Sequence, residues 1–137
     1  MDQKTARFGL RAIILISTFL GFIGLAISFA DESFLPKELA AWNEAQKPED
    51  ASVILLLITG IPVVIATYAS LVGMFIFKKW GAWLYLVTSV IASMFLLVEP
   101  SVESGISAFF SDLDSVLGGV ILGIAFFSSA LEPDQAP

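Results

Sequence analysis

Chemistry in this 137-residue chain has to come from carboxylates, a few basic groups and hydroxyls, because the sequence holds no histidine and no cysteine. The acids that stand close together are Asp31/Glu32, Glu49/Asp50, Glu99/Glu103 and Asp112/Asp114. Oxygen donors of this kind suit a hard cation such as Ca²⁺ or Mg²⁺. An isolated Asp-x-Asp has little specificity, and the same residues serve equally as solvated helix ends and caps, so no metal site is assigned.

The missing residue types exclude much more. Without cysteine there is no disulfide framework, thiolate metal site or thiol redox chemistry. Without histidine the usual haem ligand, the usual zinc nitrogen and the usual general base are absent. A serine nucleophile needs a neighbouring base, and none is evident beside the serines of the apolar stretches. The expectation is a non-enzyme with no catalytic residue and no cofactor. A net charge of −6 also argues against nucleic acid, since phosphate binding needs a Lys/Arg surface.

Hydroxyls form the remaining set. Thr67, Tyr68, Ser70, Tyr85 and Thr88 make a candidate polar cavity for an uncharged solute, with Ser89 beside them. The competing use of such groups in a bilayer is to bond a helix carbonyl one turn back or a neighbouring helix, and that use is expected here.

The elements that must position these residues are apolar and long. The chain is 57% hydrophobic, 15% charged, and has a mean hydropathy of +0.88, which places it in the membrane class. A helix needs about 20 residues to cross a hydrocarbon core of roughly 30 Å. Uncharged stretches predict four transmembrane helices at about 11–30, 52–77, 80–98 and 114–131, with outer connectors at 31–51 and 99–113. The fold class expected is therefore all-α, a single membrane domain over 1–137 built as a four-helix bundle. Apart from Arg11 and Asp114 at their ends, no Asp, Glu, Lys or Arg falls inside these four spans, which disfavours proton relays and ion-coupled carriers.

Charge sets the orientation. Lys4, Arg7 and Arg11 precede the first span and Lys78-Lys79 separates the second from the third, whereas most acids fall in the connectors. By the positive-inside tendency both termini are cytoplasmic and the connectors lie outside. The first helix is read as uncleaved, because its apolar stretch exceeds the h-region of a signal peptide. Lys78, Lys79, Trp80 and Trp83 are expected as interfacial anchors on the inner side, and Trp42 on the outer side. Around Trp42, Pro36 and the spacing of Leu35, Leu39 and Trp42 predict a short amphipathic helix. A second is predicted over 101–113, with Asp112 or Asp114 capping the last span. The run Lys-Lys-Trp-Gly-Ala-Trp-Leu-Tyr-Leu resembles those of many small bacterial inner-membrane proteins, and the expected location is that membrane.

Within the spans, Gly60 and Pro62 mark a hinge, since proline removes a hydrogen bond and crowds the preceding turn. Small residues recur four apart: Ser17 and Gly21, Gly24 and Ser28, Ala69 and Gly73, Ser89 and Ser93, Gly119 and Gly123. Such pairs let helices approach closely in lipid, where packing drives association. They are expected to pack internally or against a partner. The functional expectation is an accessory, scaffold or immunity-type subunit in the lipid bilayer, bound to a larger membrane protein or to itself. A small channel or carrier for an uncharged or cationic solute, with a Pro62-bent helix, is the alternative.

Overall fold

The computed structural model describes residues 2–45, 50–95 and 102–132, apart from the side chains at 31, 32, 50–53, 55, 56 and 95. It is all-α: α1 (Gln3–Ala30), α2 (Lys37–Ala45), α3 (Asp50–Phe75), α4 (Lys79–Phe95) and α5 (Gly105–Phe127), with 3-10 turns at Asp31–Phe34 and Ser129–Leu131. Three helices are long and apolar enough to cross a membrane: α1, the Leu57–Phe75 part of α3, and α5. At 1.5 Å per residue these helices have the reach a bilayer demands, α1 and α5 covering about 42 and 34 Å. Their large apolar side chains face outward. Phe8, Phe19, Phe29 and Phe127 are 76%, 67%, 86% and 93% exposed. This inversion of a soluble fold, with small or modest side chains inside and large ones outside, fits lipid as the solvent.

The helices meet in antiparallel pairs. α3 packs chiefly on α4 and α1 chiefly on α5. Residue pairings complete the ring: Phe22 stacks on Tyr68 between α1 and α3, and Trp83 sits edge-on to Phe126 between α4 and α5, with centroids 5.1 Å apart. The tightest packing gathers toward the end that holds the basic residues. Leu10, Met74 and Ile121 are fully buried there, with Ala6, Ile14, Ala82, Ala125, Ala130 and Leu131 around them.

The α3–α4 junction explains itself chemically. Lys78 N–H donates to the Gly73 carbonyl at 2.8 Å and Phe77 N–H to the Met74 carbonyl at 2.9 Å, the paired bonds of a Schellman cap. That cap needs a left-handed residue after the helix, and Phe77 takes it at φ 60°. A bulky side chain rarely tolerates this conformation, and here two guanidinium groups hold the ring. Arg11 Cζ lies 4.4 Å and Arg7 Cζ 4.7 Å from its centroid. Beyond the turn the two backbones nearly touch. A Cβ on Gly81 would lie 2.6 Å from the Met74 nitrogen and 2.7 Å from the Ser70 oxygen.

Two sequence expectations need correction. The second connector does not carry a separate short helix before the last span; Gly105–Phe127 is one helix, capped by Ser104, whose hydroxyl accepts from Ser107 N–H. Asp112 and Asp114 therefore lie inside α5 and cap nothing. Carboxylates were expected only at span ends, but Ser17 of α1 donates to Asp114 at 3.0 Å and gives the acid a partner within the helix. The first connector does contain a short helix, α2, and its Trp42 and Leu39 are each 40% exposed. Pro48, Glu49, Glu99, Pro100 and Pro133, expected to end elements or carry connector charge, lie outside the described residues.

Candidate functional site

The predicted polar residues divide into those that serve their own helix and those that face open space. Thr67 donates to the Val63 carbonyl, Ser70 to Thr67, Thr88 to Leu84 and Ser93 to Ser89, at 2.6–3.0 Å. Ser70 and Thr88 are buried, and their hydroxyls are spent on backbone. Tyr85 is also buried, and its hydroxyl rests over Gly118, where an added Cβ would come within 2.8 Å. Tyr68 is exposed against Phe22. The structure thus spreads the hydroxyls proposed for one cavity over the α3–α4 contact, the α4–α5 contact and the outer surface. Gly60 and Pro62 lie within the unbroken run of α3. An open apolar hollow of about 320 Å³ flanks them, lined by Leu57, Gly60, Ile61, Val64 and Ile65.

The small residues also divide. Gly73 packs under Trp80 and Gly81, with contacts of 2.8 and 3.0 Å to an added Cβ, and Gly24 meets Phe110 at 3.4 Å. Gly21, Gly119 and Gly123 have nothing within 4 Å. Ala69 and Ser28 are exposed. Ser89 and Ser93 border an open hollow of about 400 Å³ with Val90 and Met94. Two of the closest approaches involve Gly81 and Gly118, which the four-residue spacing did not single out. Gly81 carries a readable signal, because a glycine just after a tight turn between two apolar helices permits backbone contact.

Polar chemistry concentrates between α1 and α5. There a groove of about 270 Å³ runs between Leu20, Gly21, Gly24, Leu25 and Ser28 on one side and Glu103, Ser107, Phe110, Ser111 and Asp114 on the other. Ser17, 5% exposed, reaches Asp114 at the groove's inner end. The two glycines keep α1 from filling it. Beyond the groove toward the basic end, Arg7 donates to the Ala130 and Glu132 carbonyls at 3.2 and 2.9 Å, and Gln3 adds a 3.0 Å bond to Glu132. Arg11 donates to the Phe75 carbonyl at 3.3 Å, where the α3 helix dipole favours a cation.

Of the anchors, Lys78, Lys79, Trp80 and Trp83 are exposed and cluster at the α3–α4 turn. Lys79 and Trp83 also border a pocket of about 220 Å³ with Ala125, Phe126 and Glu132. At the opposite end Asn43 of α2 clips onto Val102. Its Nδ2 donates to the Val102 carbonyl at 2.7 Å and its Oδ1 accepts from Val102 N–H at 3.2 Å. Of the sequence-adjacent acids, Asp31, Glu32, Glu49, Asp50 and Glu99 have side chains outside the described set, while Glu103, Asp112 and Asp114 are all exposed. No protein-family model, curated protein or solved structure matches this chain.

Proposed function

We propose that the chain is a four-span membrane protein, with α1, α3, α4 and α5 crossing the bilayer and both termini cytoplasmic. We propose that it acts without catalysis as an accessory, scaffold or immunity-type subunit in a bacterial inner membrane. The uncharged run that begins at Trp80 in α4 extends in the sequence to Val98, long enough for a crossing. Arg7 and Arg11 meet the residues just before the Lys78-Lys79 turn, Phe75 and Phe77, at one end, so the positive-inside tendency acts on both clusters in the same sense.

The observation that carries the interaction reading is the set of small residues left over after internal packing. Gly119 and Gly123 on α5 face open space, and Ser89 and Ser93 on α4 border an empty apolar hollow. In lipid such faces associate by close backbone approach to another helix. The test is a mild-detergent pull-down with mass spectrometry on the tagged chain and on a G119L/G123L variant. The expected result is a membrane protein, or a second copy, recovered with the first and lost with the second. Recovery of monomer alone, together with solute flux in liposomes, would sink this reading in favour of a carrier. Asp114 inside a membrane-length helix is the observation on the carrier's side.

A further inference from the structure

The α1–α5 groove holds polar groups that the interaction reading leaves unused. Ser107, Ser111 and Asp114 follow one another at spacings of four and three along α5, which sets them on one face, and Glu103 stands just ahead of the helix. All four line the groove.

Ser107 is the first sign of a ligand. The residue is 7% exposed, yet no described residue bonds its hydroxyl. Elsewhere Thr18, Thr67, Thr88, Ser93, Ser115 and Ser128 each donate to the carbonyl four residues back. Ser107 sits in the first turn of α5, and the carbonyl four back belongs to Glu103, ahead of the helix. Among the described residues every fully occluded side-chain N or O has a partner, so this hydroxyl opens on the groove.

Asp114 is the second. It stands about 14 Å along α5 from Gly105 and accepts one hydrogen bond from Ser17. No described cation pairs with it. A carboxylate at that depth in a membrane helix is costly without a positive partner.

Their spacing identifies the partner's shape. Gly105 and Asp114 are about 14 Å apart along α5, and Glu103 lies two residues further out, ahead of the helix. A metal ion with oxygen ligands about 2.3–2.6 Å away cannot touch both, and among the described residues no three acids gather around one point. A linear cation charged at both ends can touch both. We propose that the groove binds a linear aliphatic polyamine. One terminal ammonium pairs with Asp114 beside Ser17, the other pairs with Glu103, and the methylenes lie on Leu20, Leu25 and Phe110. Ser107 accepts from an amine between the two ends.

Isothermal titration of spermidine into the full chain, held in zwitterionic phosphatidylcholine nanodiscs, tests this directly. Saturable binding at one per chain is expected, with hexylamine at least tenfold weaker. Asp114→Asn and Glu103→Gln should each weaken spermidine about tenfold, Ser107→Ala about threefold, and Lys79→Gln should leave it unchanged. Asp114→Asn keeps an oxygen acceptor for Ser17, and Glu103 precedes α5, so the second variant still decides if the first fails to fold. Absence of saturable binding, unchanged affinity in both acid variants, or equal displacement by Ca²⁺ would overturn the proposal. So would carbodiimide crosslinking of Asp114 to a lysine of another protein that copurifies in its place. The titration uses the isolated chain, so its failure leaves the partner reading standing, and the reverse also holds.

Discussion

Phe77 shows how one residue's backbone and side chain can pull in opposite directions. Its left-handed conformation costs an L-residue about 1–2 kcal/mol, while its ring takes two guanidinium contacts at 4.4 and 4.7 Å. Each such contact contributes about 0.5–1 kcal/mol when exposed. Phe77→Ala should therefore lower thermal stability in detergent by about 2 kcal/mol, since it loses the ring and keeps the strain. Phe77→Gly should be more stable than the alanine variant by about 1 kcal/mol, because glycine accepts φ 60° freely. Equal stability of the two variants would show that the ring alone matters. The sequence displays Arg7 and Arg11 four apart and so on one helix face, but it reads equally well as a plain charge flank. Only the folded chain brings Phe77 beneath them.

At the scale of elements, the glycine positions separate packing from exposure. A Cβ on Gly81 would collide with the backbone of α3, where no side chain can move aside. Gly81→Ala should then cost about 1–3 kcal/mol through forced separation of the hairpin. Gly119→Ala, with nothing within 4 Å, should be neutral or stabilising in the isolated chain, because glycine in a helix interior is worth about 1 kcal/mol less than alanine. Paired thermal denaturation of the two variants checks this. The same contrast explains what could be read beforehand. Long apolar stretches located α3 and α4 closely and the end of α1, because bilayer thickness constrains length. α1 starts at Gln3, eight residues before the expected span, because the helix continues back through the basic flank. The start of α5 was displaced about ten residues, since Asp112 and Asp114 resemble a cap and nothing local reveals that Ser17, almost a hundred residues earlier, meets the second acid. Likewise Gly118 and Gly119 are neighbours in sequence, and only the position of Tyr85 decides that the first is the packed one. The Asn43–Val102 clip was equally invisible, being two hydrogen bonds between connectors. Asn43→Ala should cost about 1–2 kcal/mol and be seen as faster amide exchange at Val102.

For the whole molecule, orientation is the property that most needs measurement. The chain holds no cysteine, so single introduced thiols report without background. Lys4→Cys and Lys79→Cys should react with an impermeant maleimide only from the cytoplasmic side of inverted vesicles. Glu44→Cys should react only from the opposite side. Labelling of all three from one side would exclude the four-span topology. The distribution of packing complements this picture. The core at the basic end is closed by Leu10, Met74 and Ile121, whereas the groove between α1 and α5 opens toward Ser28 and Glu103.

The pairing of α1 with α5 also has a consequence for biogenesis. α1 finds its principal mate only once α5 has been made, since chains are synthesised from the N-terminus. Until then Ser17 has no carboxylate to bond, and Arg7 has no carbonyl of Ala130 or Glu132 to hold. A nascent chain stopped after α4 therefore displays an unmated first helix to the insertion and proteolytic machinery. Completion of α5 is the event that gives α1 its mate.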